Sequence, residues 1–225
     1  MISQNDTISI SVAKALEFAT HKHYNQKRKD ALQTSYIVHP IHVMSMLVNA
    51  GERNSDILCA ALLHDTIEDT KTSPEEIRKE FGSSVESIVL ECTDDKSLTK
   101  SQRKRKQLAH AHEISISAAK IKLCDKYDNC GSLSTDPPAS WSDEQVTGYL
   151  TWSYAVCQAL RRFEEKSDVV ARLFKQIDAL FDQYDLSPNK IDEQQLGNRL
   201  ATYYRYLEKQ EAEEEKKQKQ ENQKK

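Results

Sequence analysis

The residues best suited to chemistry stand where an apolar run ends. In Ala60-Ala61-Leu62-Leu63-His64-Asp65-Thr66-Ile67-Glu68-Asp69-Thr70, ionisable side chains follow aliphatic ones abruptly. His64 and Glu68 are one helical turn apart, as are Asp65 and Asp69, so on a continuing helix each pair would share a face. Burying such charge costs on the order of several kcal/mol per ion unless a partner compensates it. A divalent cation is one partner that suits a histidine beside carboxylates. The alternative is a helix that frays into a solvated acidic loop, and a His-Asp dipeptide alone does not separate the two. His39 and Asp125 are the further ligands that a real site would need. With His64 and Asp65 they make two imidazoles and two carboxylates spread over three helices, a mixed donor set suited to Mn²⁺, Fe²⁺, Co²⁺ or Zn²⁺ better than Ca²⁺. Four protein ligands on an ion that accepts six would leave room for water and substrate, which is a catalytic arrangement.

The elements that must position these groups read as helices. Only five glycines and five prolines occur in 225 residues, and helix-period apolar patterns dominate, so the fold class is all-α. Ile8, Val12, Ala15, Leu16 and Ala19 stripe a first helix that ends near His23. Pro40 fits the first turn of a second helix and Gly51 its stop, which puts His39 at the entry. A third helix runs from about Ser55 into the His64-Asp65 motif. Ser73-Pro74-Glu75-Glu76 is a capping box, and Ser84 to Cys92 makes another helix. Ala118 to Leu133 carries Ile121, Leu123 and Cys124 inward and presents Asp125. Ser140 or Ser142 caps a long helix, and Ser167 or Asp168 starts one that ends before Ser187-Pro188.

Hydrophobic residues make up 38% and charged ones 30%, with the polarity concentrated at the C-terminus. Residues 1–187 are therefore expected to form the folded domain. Residues 188–225 form a charged extension, with a last apolar stripe through Leu196, Leu200, Tyr203, Tyr204 and Leu207. From Glu208 onward the chain reads as a solvated helix or disordered tail, with too few apolar positions for a coiled coil. The net charge of −3 exerts no general pull towards nucleic acid or membrane, and no run approaches the ~20 apolar residues of a membrane span. The N-terminus is polar rather than a secretory signal, and five scattered cysteines read as reduced core thiols, so a cytoplasmic setting is expected. The run Arg103-Lys104-Arg105-Lys106 reads first as a solvated helix face. Nucleic-acid or nuclear-import use and local attraction of phosphate are the other readings. His21, His23 and His42 read as packed residues, and His110 and His112 as solvated ones.

The order His39, His64-Asp65, Asp125 resembles the HD superfamily of metal-dependent phosphohydrolases. Arg28-Lys29-Asp30, Tyr36-Ile37-Val38-His39-Pro40, the stretch from Ala61 to Thr70 and Thr93-Asp94-Asp95-Lys96 further resemble the hydrolase domain of the RelA/SpoT family, nearest to its stand-alone animal homologues. The resemblance covers roughly residues 8 to 185 and implies an HD-domain helical bundle. It implies Mn²⁺-dependent removal of the 3′-pyrophosphate from (p)ppGpp, and also removal of the 2′-phosphate from NADPH. By the same resemblance His39, His64, Asp65 and Asp125 would hold the metal. Glu68 and Asp69 would orient or deprotonate the attacking water. Arg28, Lys29, Lys100, Asn129 and Tyr149 would contact the nucleotide, although a core role suits Tyr149 as well.

Three positions depart from the family pattern. Gly131 stands where an arginine is usual, Val38 where an asparagine precedes the histidine, and Asp128 adds a negative charge beside the expected phosphate site. The expectation is that chemistry persists while substrate choice is altered. The alternatives are a general HD nucleotidase and a non-catalytic HD module that binds nucleotide. The oligomeric state is open.

Overall fold

The structure, a computed structural model, describes residues 4–222, with the side chains of residues 4–9, 134 and 135 set aside. The expected inward place of Ile8 therefore lies outside the described residues. In chain order the helices are α1 (Gln4–Lys22), α2 (Val38–Asn49), α3 (Ser55–Leu63), α4 (Thr66–Asp69), α5 (Pro74–Phe81), α6 (Ser83–Cys92), α7 (Lys100–His110), α8 (Ile116–Thr135), α9 (Asp143–Leu160), α10 (Asp168–Asp182) and α11 (Glu193–Asn222). A 3₁₀ turn, Arg161–Lys166, joins α9 to α10. Among the described residues there is no strand, only an isolated antiparallel bridge between Lys27 and Ser35. The fold is all-α.

Local chemistry sets the helix starts. Asn54 accepts hydrogen bonds from the Asp56 and Ile57 amides, and Ser73 accepts from Glu76 with Pro74 behind it. Thr99 and Gln102 cap each other reciprocally, while Ser115, Ser142 and Ser167 cap α8, α9 and α10. Each such cap satisfies amides that the first turn leaves unpaired, a contribution of about 1 kcal/mol.

α3 is the centre of the molecule. Every residue from Ile57 to Leu63 is buried, as a helix apolar on all sides must be. It packs against α1, α2, α6 and α8. The predicted continuation past His64 does not occur. α3 stops at Leu63, and the Thr66 hydroxyl donates to the Leu63 carbonyl at 2.7 Å. Asp65 takes φ −98° and ψ −4°, and α4 is a single turn. A side-chain hydroxyl that competes for a helix carbonyl is a known local way to end the ladder. His64 and Glu68 consequently face different partners, whereas the Asp69 amide still donates to the Asp65 carbonyl at 2.8 Å.

α10 buries Val170, Leu173, Phe174, Ile177, Leu180 and Phe181, an apolar stripe of helical period. All five cysteines are free thiols, and Cys59, Cys124, Cys130 and Cys157 are buried. Burial pushes the Cys59 thiol up to about 11 and that of Cys130 to about 12.

α11 packs along α9 and α7, with Tyr203, Tyr204 and Leu207 buried. The segment expected to be merely solvated also makes defined contacts. Glu208 bonds Arg105 at 2.8 Å, Glu211 accepts from the Ser101 amide at 2.7 Å, and Glu214 lies 3.6 Å from Lys100. These carboxylates line up because they sit one turn apart, facing the basic start of α7. Close approach of α11 to α9 depends on Gly148, where a Cβ would lie 2.1 Å from Tyr203 Cδ2. Gly148→Ala is therefore expected to destabilise the fold by about 1–3 kcal/mol through overpacking. Gly197→Ala on α11, where a Cβ meets nothing within 4 Å, should instead stabilise by up to about 1 kcal/mol. Urea denaturation of the two variants checks the opposite signs.

Candidate metal centre

The C-terminal end of α3, where the helix dipole favours positive charge, is where the ligand-type side chains gather. His39 comes from the first turn of α2, His64 caps α3 and Asp125 stands on α8. One ligand atom from each lies within 4.8 Å of the others. His39 Nε2 is 3.2 Å from Asp125 Oδ1 and 3.6 Å from Asp65 Oδ2, and Asp65 Oδ2 is 3.1 Å from His64 Nε2. Asp65 thus adjoins the trio of His39, His64 and Asp125, with its Oδ2 also accepting the Tyr36 hydroxyl at 2.5 Å.

His64 offers a test of whether a cation fits. Its Nδ1 is 2.8 Å from the Ala61 carbonyl, a contact that requires the proton on Nδ1 when the ring is neutral. Its Nε2 is buried and makes no hydrogen bond. In the neutral tautomer Nε2 would direct a lone pair towards the Asp65 carboxylate 3.1 Å away, an arrangement that protonation of the ring or a bound cation relieves. The donor set of imidazole nitrogens and carboxylate oxygens suits a first-row divalent ion.

The electrostatics of the site point the same way. Burial would lower the His39 pKa, but hydrogen bonds to Asp125 and Asp128 push it up to about 9. Burial likewise opposes a charged His64, and the Asp65 carboxylate overcomes it, raising the pKa. Burial works against ionised Asp125, yet Lys126 and His39 hold its carboxyl well below the usual range. The protein thus maintains anionic oxygens here by surrounding them with positive groups, a role that a metal ion can also fill.

Glu68 and Asp69, one turn beyond, have different surroundings. Burial raises the Glu68 pKa against the Asp94 amide, which donates to Oε2 at 3.0 Å, while the charges of Asp94, Asp65 and Asp69 add to the rise. A carboxylate of raised pKa accepts a proton more readily. Asp69 is tied to Lys96 Nζ at 2.5 Å and lies 3.5 Å from the Tyr36 hydroxyl.

Two cavities meet at this place. The first, about 220 Å³, is lined by His64, Asp65, Glu68, Asp69 and Asp125 together with Lys100, Arg103, Lys104, Lys122 and Lys126. The second, about 460 Å³, is lined by Arg28, Lys29, Trp141 and Tyr149 among others. Tyr36 and Asn129 belong to both walls. The residues expected to contact a nucleotide are therefore divided, with Lys100 in the first cavity, Arg28, Lys29 and Tyr149 in the second, and Asn129 between. Asn129 also donates to Asp125 Oδ1 at 2.6 Å. Tyr149 is half-buried between Trp141 and Trp152, with ring centroids 5.4 and 5.5 Å away.

Several sequence readings need correction. The run from Arg103 to Lys106 is not one solvated face. Lys100, Arg103 and Lys104 follow the i, i+3, i+4 rule into the first cavity, whereas Arg105 turns to Glu208 and stacks on Tyr204. Burial and the neighbouring Lys126 push the Lys104 pKa down to about 7, and its ammonium lies 3.4 Å from the Trp152 ring centroid. That periodicity was the available signal for Lys104. His42 is neither packed nor a ligand, because it is exposed and its Nδ1 is 3.0 Å from Asp128. His23 is buried, as expected, whereas His21 is exposed. Asp128 does not stand free beside a phosphate site. It bonds His39 Nδ1 at 2.7 Å and Arg28 at 2.8 Å.

Among the described residues no helix is long and apolar enough to cross a membrane. Comparison with known proteins gives a consistent set of relatives. The HD-domain family matches residues 15–141. Guanosine-3′,5′-bis(diphosphate) 3′-pyrophosphohydrolase MESH1 of Xenopus tropicalis is 44% identical over 151 residues, covering 67% of this chain and 84% of that protein. The Homo sapiens protein of the same name is 41% identical over 165 residues, covering 72% of this chain and 92% of its own. A solved structure of a metazoan orthologue of SpoT, described as hydrolysing ppGpp, superposes with a TM-score of 0.74 at 39% identity. It covers 79% of this chain and 97% of that one.

Proposed function

The chain belongs to the HD-domain family and, within it, to the group of the MESH1 hydrolases, and on that basis we propose that it removes the 3′-pyrophosphate from (p)ppGpp. The observation that carries this reading is the junction of the two cavities. An acidic, imidazole-lined pocket that also carries cationic side chains opens beside a roomier one with aromatic and guanidinium groups, which suits a nucleotide with a base and phosphorylated ribose hydroxyls.

His39, His64, Asp65 and Asp125 would hold one divalent cation, with Mn²⁺ the ion we infer. When bound, such an ion supplies a water of lowered pKa and a Lewis acid for a phosphoryl oxygen. Glu68 would serve as the proton acceptor for the attacking water, since burial raises its pKa above the ordinary carboxylate value. Lys100, Arg103 and Lys104 line the same cavity and would neutralise the charge of the leaving pyrophosphate. Asn129 keeps Asp125 oriented while presenting the rest of its amide at the boundary between the cavities. Arg28, Lys29 and Tyr149 line the space for ribose and base, where a guanidinium or phenol ring can stack. The reaction consumes one water and yields pyrophosphate with GDP or GTP.

The 2′-phosphate of NADPH is also an ester on a ribose hydroxyl, so the same pocket can serve it, yielding NADH and phosphate. Buried free thiols fit a cytoplasmic setting. The test is incubation of purified protein with Mn²⁺ and either ppGpp or NADPH, with products separated by chromatography. Pyrophosphate with GDP is the expected result for the first and NADH with phosphate for the second. Phosphate release from nucleoside monophosphates with no pyrophosphate from ppGpp would replace this reading with a general nucleotidase. Nucleotide binding without turnover would make the protein a binding module.

A further inference from the structure

Asp128 lies on α8 within a turn of Asp125, and its carboxylate is engaged on every side. Oδ2 is 2.7 Å from His39 Nδ1 and 2.8 Å from Arg28 Nη1, and Oδ1 is 3.0 Å from His42 Nδ1. The His39 ring is almost fully buried, at 1% exposure, and its two nitrogens face opposite ways. Nε2 looks to Asp125 at 3.2 Å and Nδ1 to Asp128. An imidazole that offers Nε2 to a cation must carry its proton on Nδ1, and a carboxylate accepting that proton fixes both tautomer and ring plane. Arg28 approaches from the loop before α2, and His42 from one turn along α2, so the carboxylate is held from two further directions. Arg28 also reaches towards Asn129 Oδ1 at 3.5 Å and Ser132 Oγ at 3.4 Å, contacts too long to fix it without the ion pair.

We propose that Asp128 is a positioning residue of the metal centre, holding His39 ready to accept the ion and tying it to Arg28 in the wall of the second cavity. The inference rests on the reading of His39 as a ligand. One carboxylate then links the metal side of the site to its nucleotide side, so that changing it loosens both.

The test uses full-length protein stripped of metal and Mn²⁺ alone as the probe, with the dissociation constant read by isothermal titration calorimetry. Asp128→Asn keeps a carbonyl oxygen for the Nδ1 proton but not the charge, and should weaken binding about tenfold. Asp128→Ala keeps neither and should approach a hundredfold, the range for loss of such an outer carboxylate. His42→Ala removes only the exposed contact to Oδ1 and leaves the His39 contact in place, so it should weaken Mn²⁺ binding less than Asp128→Asn does. Unchanged affinity in Asp128→Asn together with Asp128→Ala overturns the proposal. If the alanine variant fails to fold, unchanged affinity in the asparagine variant alone overturns it. His39→Ala separates the two layers of inference. Its loss of Mn²⁺ beside an unaffected Asp128→Ala sinks only the positioning role, whereas wild-type binding by His39→Ala sinks the ligand reading itself.

Discussion

Asp65→Ala is expected to leave the protein unable to retain a divalent cation and to reduce hydrolysis at least about a thousandfold. The magnitude follows from the charge stabilisation a catalytic ion provides, several kcal/mol, with each 1.4 kcal/mol or so worth a factor of ten. The Asp65 carboxylate lies 3.1 Å from His64 Nε2 and 3.6 Å from His39 Nε2, so its removal takes a negative oxygen from beside both imidazoles. It also frees the Tyr36 hydroxyl, which donates to it. Metal content by mass spectrometry and steady-state rates on ppGpp check both halves. Retained metal with activity within tenfold of wild type would remove Asp65 from the ligand set and leave the trio of His39, His64 and Asp125.

Glu68→Gln should separate proton transfer from metal binding. The amide keeps the volume of the side chain and an oxygen for the Asp94 N–H, which now donates to Oε2 at 3.0 Å. It removes the base. The expected result is a fall of about 10²- to 10⁴-fold in kcat, the usual worth of a positioned acid or base. Mn²⁺ affinity and KM should stay near wild type, because the loss is confined to the transition state. Asp69→Asn is the comparison. Its charge is already matched by Lys96, so its effect should be smaller. Equal turnover by Glu68→Gln and the wild type would assign the base to another group.

Much of this site is legible in the sequence because its determinants are local. The aliphatic run before His64 marks a central helix, since apolar residues on every face leave no solvated side. Caps such as Ser73, Ser142 and Ser167 announce their helices within a few residues. What the sequence hides depends on partners far away along the chain. The break after Leu63 is set by a threonine hydroxyl and by Asp65 backbone angles, and neither disturbs the 3.6-residue pattern that precedes it. Asp128 reads only as a stray negative charge, because the residues that give it meaning, His39 and Arg28, lie 89 and 100 positions earlier. The basic run near residue 103 looks like a uniform stripe until α11 covers one side of it through Glu208 and Glu211, leaving Arg103 and Lys104 to the cavity.

The buried thiols add a practical consequence. Alkylating reagents attack the thiolate, and with Cys59 and Cys130 held near 11 and 12 inside the core, almost none exists at neutral pH. Modification must then wait for the helices to part, so its rate reads how often they do. Cys124 immediately precedes Asp125 on α8, and a cation drawing α2, the end of α3 and α8 together should close that route further. The pace at which a maleimide or iodoacetamide label enters Cys124 should therefore fall when Mn²⁺ is added, a readout that needs no substrate.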